Sequence, residues 1–219
     1  MYEVIPSPGT FVKDAEEWSQ KIELVRPFTK TIHVDVVDGI FAPNTTASEP
    51  EWFKDFTKDI FFEVHLMTDD PIKHLKKWAD AGFRRFIGQI EKMPDQAEFI
   101  AQAQLLGEAG LALDKQTPLE AIKVPVSDLD VLLVMAIQAG LSGQQFQEEL
   151  LEKVKLLRMR DQIEIPIEVD GGINDETILI AAAAGVNRFV VTSFLYNIEI
   201  PEKQFQLLHE KLDSLNITT

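Results

Sequence analysis

Residues 31–39, TIHVDVVDG, read as a buried strand with two potential metal ligands, His33 and Asp35. Side chains alternate along a strand, so these two residues, two positions apart, lie on the same face. Two further short apolar runs carry a ligand near their end: His65 in FFEVHLM (61–67) and Asp170 in IPIEVDGG (165–172). If all three runs are strands, the four side chains can meet at one end of a sheet.

Strand-like and helical patterns alternate from end to end. The strand candidates are EVIPS (3–7), TIHVDV (31–36), IFFEVHL (60–66), RRFIGQ (84–89), LAL (111–113), VLLVM (131–135), IPIEV (165–169) and RFVV (188–191). The helical segments are 14–25, 71–82, 95–110, 146–160, 176–185 and 201–215. Runs that are apolar throughout are typical of parallel strands covered on both faces. The pattern predicts a single (β/α)8 TIM barrel over residues 1–219.

Three glycines are placed where a helical segment should stop before the next strand. They end the sequences A-D-A-G (79–82), G-E-A-G (107–110) and A-A-A-G (182–185). Glycine is favoured just after a helix because it adopts the left-handed conformation without strain. We therefore expect all three to end helices.

A barrel of this kind places its active site at the carboxyl ends of its strands. Ser7 and the four candidate ligands all fall at that end, whereas His74 and His209 lie in helical segments and read as solvated helix residues. Two imidazoles and two carboxylates suit a divalent ion such as zinc, manganese or ferrous iron. For a lone H-x-D motif, the ordinary alternative is a histidine that is hydrogen-bonded within its own neighbourhood.

Glycine and small polar residues follow the last three strands, in AGLSGQQ (139–145), DGGIN (170–174) and TSFLYN (192–197). In barrels, loops at these places often bind phosphate through backbone N–H groups. Ordinary glycine turns are the alternative. The position in the barrel favours an anion site.

The composition restricts the partners. With 21 Lys and Arg against 36 Asp and Glu, the net charge of −15 argues against nucleic acid and anionic membranes, while a phosphorylated small molecule is compatible with it. With no cysteine, a metal must use nitrogen and oxygen ligands. The start lacks a signal-peptide pattern and the longest apolar stretch, 178–186, is too short to span a bilayer. We expect a cytoplasmic protein.

Several motifs, in order, resemble one known family. The run IHVDVVDGIFAPN (32–44) is similar to the H-x-D-x-x-D-G-x-F-x-P-N signature of ribulose-phosphate 3-epimerases, and EVHLMTDDP (63–71) resembles their second signature. Later blocks at 110–122, 131–158 and 167–196 also match, so the resemblance runs from about Ile5 to the final helix. It implies an isomerase with a barrel of the ribulose-phosphate-binding type.

The resemblance also implies a mechanism and a ligand set. Ribulose 5-phosphate and xylulose 5-phosphate are interconverted through a 2,3-enediolate, with Asp35 and Asp170 as the acid–base pair. One divalent ion (Zn, Fe(II), Mn or Co) is bound by His33, Asp35, His65 and Asp170, and no organic cofactor is required. The implied substrate-binding residues are Ser7, His65, Gly140, Leu141, Ser142, Gly143, Asp170, Gly171, Gly172, Thr192 and Ser193. A homo-oligomer, a dimer or larger, is expected from the family.

Some positions depart from the family pattern. Ser142 and Thr192 stand where glycine is usual, and a Cβ there can hinder close approach to a phosphate. Gln89 replaces a histidine, and Val37 stands where methionine is common. These departures keep two alternatives open: a paralogue acting on another ketose or ketose phosphate, and a non-catalytic metal-binding barrel.

Overall fold

Eight parallel strands form the frame of the molecule. The computed structural model describes residues 2–140, 144–161 and 164–216. The strands are β1 (Glu3–Pro6), β2 (Thr31–Val37), β3 (Phe61–Met67), β4 (Arg85–Gln89), β5 (Glu108–Leu113), β6 (Val131–Met135), β7 (Ile167–Asp170) and β8 (Arg188–Val191). They pair in the order β1-β8-β7-β6-β5-β4-β3-β2. β1 and β2, at the two ends of this order, are joined by a 2.6 Å hydrogen bond from Thr31 Oγ1 to Glu3 Oε1, so the sheet curls into a nearly closed barrel.

Helices cover the outside of the sheet, as the alternation predicts. The α-helices are α1 (Ala15–Val25), α2 (Ile72–Asp80), α3 (Gln96–Gln104), α4 (Glu152–Asp161), α5 (Thr177–Ala183), α6 (Ser193–Tyr196) and α7 (Pro201–Asn216). Short 3₁₀ helices lie at Pro50–Phe53, Phe56–Lys58, Ile90–Lys92, Leu119–Ala121, Val126–Asp128 and Glu148–Leu151. The fold is a (β/α)8 TIM barrel, as predicted. None of the helices described is long and apolar enough to cross a membrane.

Helix α1 shows how the local sequence sets these boundaries. The Asp14 side chain accepts a 2.9 Å hydrogen bond from Glu17 N, and Glu17 Oε2 accepts one from Lys13 N at 3.0 Å. The first bond satisfies an amide group that the first helical turn leaves without a partner, and the second ties the residue before the N-cap to the helix. Trp18, Ile22 and Val25 recur at helical spacing and are buried against the sheet.

Two of the three predicted helix-ending glycines are confirmed. Gly82 and Gly185 follow α2 and α5 with φ of +103° and +106°. The third prediction is wrong, because α3 already ends at Gln104 and 108–110 belong to β5. Pairing with β4 overrides the helical pattern here: Glu108 N donates to Arg84 O at 2.8 Å. A Cβ on Gly107 would lie 2.1 Å from the same oxygen, so this glycine permits the close approach of two backbone segments.

The boundaries of β1 and β7 also differ from the prediction. β7 begins at Ile167 instead of residue 165, because Pro166 has no N–H to donate to a neighbouring strand. At its other end β7 includes Asp170, which pairs with Met135 of β6 and Val190 of β8. Ser7 lies just beyond the end of β1, although its N–H still bonds Val191 O at 3.0 Å.

The barrel interior has two chemically different sides. Leu132 and Val134 of β6 belong to the large core under the helices, so their neighbours along the strand face inward. We call the inward residues of β5 and β6 the apolar wall: Ala112, Val131, Leu133 and Met135. We call the inward polar residues of β2, β3, β4 and β7 the polar wall: His33, Asp35, Glu63, His65, Arg85, Gln89, Glu168 and Asp170.

Candidate metal centre and active site

The four predicted ligands converge on the polar wall. His33 and Asp35 come from β2, His65 from β3 and Asp170 from β7, and all four are buried. Each offers one ligand atom, and these atoms lie within 4.8 Å of one another. The strand register explains part of this arrangement, because Asp35 and His65 are direct partners across β2 and β3.

The histidine rings are oriented towards a common point. His33 Nε2 lies 3.2 Å from Asp35 Oδ1, and His65 Nδ1 lies 3.1 Å from the same oxygen. One nitrogen of each ring and one carboxylate oxygen therefore already share a small volume. Two nitrogen and two oxygen donors, all from buried residues, fit a divalent transition-metal ion.

The two aspartates differ in their electrostatic environment. Burial opposes ionisation of Asp35, but the adjacent His33 and His65 outweigh it and hold the pKa of Asp35 well below its usual range. Burial and the negative charge of Asp35 raise the pKa of Asp170 to about 7. For His33, the charge of Asp35 outweighs the opposing effect of burial, and its pKa is raised. A bound cation would lower the pKa of both carboxyl groups.

Ser7 is tied directly to one of these aspartates. Its Oγ donates a 3.0 Å hydrogen bond to Asp35 Oδ2, while Gly9 N donates to Ser7 Oγ at 3.2 Å. Both the serine and the aspartate are buried. The loop after β1 thus fixes the second oxygen of Asp35, which leaves Oδ1 to face the histidines.

A cavity above the aspartates reaches the loops after β6, β7 and β8. Its lining includes the predicted site residues Asp35, Gly140, Asp170, Gly171, Gly172, Thr192 and Ser193, together with Met67 and Met135. Three other predicted residues, Leu141, Ser142 and Gly143, lie outside the described residues. The structure therefore brings the described loop residues to the same cavity as the two aspartates.

The two glycines after β7 are required by their neighbours. Gly171 and Gly172 have φ of +117° and +68°. A Cβ on Gly171 would lie 2.5 Å from Ile137 Cγ1, and one on Gly172 would lie 2.6 Å from Phe146 N. Any other residue would strain the backbone and displace the loop after β6.

Sequence reasoning missed a buried charged network directly beneath the ligands. Glu63 Oε1 lies 2.6 Å from His33 Nδ1, and Glu63 Oε2 accepts a hydrogen bond from Arg85 Nη1. Arg85 Nε also donates to Glu108 Oε2 at 2.6 Å. Glu168 Oε1 lies 3.4 Å from His33 Nδ1 without hydrogen-bond geometry. Glu63, Arg85 and Glu168 interrupt apolar strand runs on the same alternate positions as the ligands, which is the signal that could have revealed them.

This network has its own charge balance. Burial opposes ionisation of Glu63, but the positive charge of Arg85 lowers its pKa to about 2. The pKa of Glu168 is raised by burial and by the negative charge of Glu63. His33, Glu63 and Glu168 could together hold a cation. Arg85 already supplies a positive charge to Glu63, so the four-ligand group is the better metal site.

The remaining polar residue of the wall, Gln89, contacts the other ligand histidine. Gln89 Oε1 lies 2.6 Å from His65 Nε2, and its side chain is fully buried. His74 and His209 lie on α2 and α7, away from the ligands, as predicted. Both are half-buried, and burial lowers the pKa of each, so their environment is less solvated than expected.

The chain is similar to one sequence family, and to individual proteins of that family, over most of its length. A profile described as the ribulose-phosphate 3 epimerase family matches residues 8–196. Ribulose-phosphate 3-epimerase of Schizosaccharomyces pombe is 36% identical over 177 residues, covering 78% of this chain and 77% of the relative. The enzyme of that name from Bacillus subtilis is 36% identical over 172 residues, covering 75% of this chain and 79% of the relative.

Solved structures with a similar fold are more distant in sequence. The chain superposes on KGPDC from Streptococcus mutans with a TM-score of 0.71 at 11% identity, covering 98% of this chain and 99% of the other. For 3-keto-L-gulonate-6-phosphate decarboxylase from Vibrio cholerae, the TM-score is 0.70 at 15% identity, and each chain is covered to 97%. At such low identity these structures support the barrel fold alone.

Proposed function

Because this chain belongs to the ribulose-phosphate 3-epimerase family, we propose that it interconverts D-ribulose 5-phosphate and D-xylulose 5-phosphate with one divalent metal ion and no organic cofactor. The observation that carries the proposal is the pair of buried carboxyl groups, Asp35 and Asp170, which line one cavity and have opposite pKa shifts. Environments that push two pKa values apart are typical of an acid and a base that act together.

Epimerisation at C3 needs a base on one face of the sugar and an acid on the other. In one direction, the Asp35 carboxylate removes the C3 proton, and the Asp170 carboxylic acid returns a proton to the opposite face. The roles exchange in the reverse direction, because the reaction passes through the same 2,3-enediolate. When bound, a divalent ion would stabilise the negative charge that develops on the substrate oxygens.

The residues around the aspartates position the substrate. Ser7 holds Asp35 through Oδ2, so that Oδ1 faces His33 and His65. Gly171 and Gly172 let the backbone after β7 approach a ligand without a side chain in the way, and Thr192 and Ser193 line the same cavity. We assign the phosphate to this side. His65, Gly140, Leu141, Ser142 and Gly143 complete the proposed substrate site.

The test is incubation of metal-reconstituted protein with ribulose 5-phosphate in D2O, followed by NMR. We expect deuterium to appear at C3 together with xylulose 5-phosphate. Protein that is folded and loaded with metal but neither exchanges the C3 proton nor forms the epimer would overturn the proposal. The variant Asp170→Asn tests the acid–base role. It should remain folded and lose turnover about 10²–10⁴-fold, the usual contribution of an acid–base group.

A second candidate is epimerisation of another ketose or ketose phosphate. It is favoured by Thr192, which lines the cavity at a position where the family usually has glycine. A panel of ketoses and ketose phosphates separates the candidates through the ratio of kcat to KM. A clear preference for ribulose 5-phosphate excludes the second candidate.

A further inference from the structure

We propose that Glu63 and Gln89 are positioning residues that fix the two ligand histidines in opposite tautomers, so that His33 presents Nε2 and His65 presents Nδ1 to the metal. The inference rests on the proposed function, because it assumes that His33 and His65 bind an ion. It assigns a role to polar residues that do not contact the substrate cavity.

The tautomer of His33 follows from its contact with Glu63. A carboxylate can only accept hydrogen bonds, so the 2.6 Å contact places the proton on His33 Nδ1. His33 Nε2, which lies 3.2 Å from Asp35 Oδ1, is then the ring nitrogen that is left to bind a metal. The ring and the carboxylate are both fully buried, so water cannot replace Glu63 as the partner.

Arg85 keeps Glu63 in the charged form and in place. Its guanidinium bonds Glu63 Oε2, and its Nε bonds Glu108 at 2.6 Å on the neighbouring strand β5. Arg85 is thus held at two points and presents one nitrogen to Glu63. This explains how a buried glutamate remains available as an acceptor, since an unpaired buried carboxylate would tend to take up a proton.

His65 is held in the other tautomer. Its Nδ1 faces Asp35 Oδ1 at 3.1 Å, among the ligand atoms, so this nitrogen must keep its lone pair for a metal. The proton then resides on Nε2, which donates to Gln89 Oε1 at 2.6 Å. An amide oxygen is not protonated at ordinary pH, so in this orientation Gln89 Oε1 accepts the bond at any such pH.

The pairing makes physical sense for a metal centre. A ligand histidine commonly donates its other N–H to an outer group, which fixes the ring and makes the metal-facing nitrogen more basic. Here one outer group is charged and the other neutral. Glu63 should therefore increase the basicity of His33 more than Gln89 increases that of His65.

The experiment combines zinc affinity with proton NMR of the ring N–H groups. Gln89→Met and Glu63→Met remove the acceptors, Glu63→Gln keeps an oxygen at the same place, and Leu133→Met on the apolar wall is the matched control. We expect the two acceptor-free variants to bind zinc about 10–100-fold more weakly. Glu63→Gln should recover part of the loss, and Leu133→Met should match the wild type.

The NMR signature separates positioning from a general loss of structure. In the zinc-loaded wild type, we expect slowly exchanging signals from His33 Nδ1–H and His65 Nε2–H. Gln89→Met should abolish only the His65 signal, and Glu63→Met only the His33 signal. Should Glu63→Met fail to fold, Gln89→Met is a neutral replacement of similar size and still decides the question for His65.

Two results would overturn this inference and leave the proposed function intact. One is the opposite pair of tautomers in the zinc-loaded wild type. The other is a Gln89→Met variant that matches a zinc-binding wild type in zinc affinity and in both N–H signals. A folded wild type that binds no divalent metal would instead overturn the proposed function on which the inference rests.

Discussion

The two walls of the barrel interior solve the same packing problem with different chemistry. The apolar wall fills its side with Ala112, Val131, Leu133 and Met135, as expected for a barrel core of aliphatic side chains. The polar wall fills the other side with charged and amide groups that are almost completely enclosed. An aliphatic wall stabilises by burial alone. Buried charges stabilise the fold only while each keeps its partner, so the polar wall gains chemical function and loses tolerance to substitution.

The largest effect on stability should come from removing one partner of the buried ion pair. Arg85→Met leaves Glu63 without its main positive partner, near the carboxyl group of Glu168. We expect a loss of about 3–5 kcal/mol in the free energy of unfolding, measured with urea.

The double variant Glu63→Gln/Arg85→Met tests the reason for this loss. Without the Glu63 carboxylate, its uncompensated charge is removed, so most of the stability should return. If the double variant is as unstable as Arg85→Met, the polar wall is stabilised by the packing of the arginine side chain. The proposed difference in how the two walls are stabilised would then be wrong.

On the apolar wall, the expected loss has a different origin. Leu133 is fully buried, and Leu133→Ala should cost about 2–5 kcal/mol through lost burial and the cavity that remains. Because Leu133 is not among the ligands or their partners, metal affinity of the folded variant should be unchanged. A large drop in zinc affinity, measured by chelator competition under folding conditions, would show that the two walls are not independent.

The loops above the two walls meet at Gly172. Gly172→Ala places a Cβ against Phe146 N at 2.6 Å, in a backbone conformation that alanine adopts with strain. We expect a loss of roughly 1–3 kcal/mol in the free energy of unfolding, together with a raised KM for the sugar phosphate. Thr177→Ala is a nearby control, since it removes the hydrogen bonds that Thr177 Oγ1 donates to Gly172 O and accepts from Asn174 N, and leaves the glycine conformation possible. Equal KM values for Gly172→Ala and the wild type would argue against a phosphate at this loop.

Much of the architecture was predictable because the strands of a buried parallel sheet are visible in the sequence as short apolar runs. All eight strands were located, and β6 and β8 match to the residue. The error at 107–110 arose because G-E-A-G fits a helix end as well as a strand entry. What distinguishes the two is the backbone just before β4. Arg84 O lies so close to Gly107 that a residue with a Cβ would not fit there.

The convergence of the four candidate ligands was equally predictable, but the residues that contact them were not. A motif such as His33-x-Asp35 is local, so alternation alone places both side chains on one face. The contacts of Glu63 with His33 and Arg85 depend on the lateral register of three strands, which no single segment records. Gln89 was noticed as a departure from the family, but only its 2.6 Å distance to His65 gives it a role.

The smallest effect on stability is expected at Asp38, whose carboxylate lies just after the end of β2. Asp38 accepts hydrogen bonds from Ile40 N and Phe41 N at 2.8 Å, and from Asp69 N at 2.7 Å. Burial opposes ionisation, but these bonds outweigh it and lower the pKa of Asp38.

Asp38→Asn places an NH2 group where an acceptor is needed, and should cost about 1 kcal/mol at neutral pH. Because the pKa is lowered in the folded state, this stabilisation is present above the unfolded pKa of about 3.9 and is lost as the pH falls through the folded value. Urea unfolding of the wild type and the variant should therefore show a difference in the free energy of unfolding that becomes smaller in acid. A difference that stays constant would mean that the charge of Asp38 is not what holds Ile40, Phe41 and Asp69.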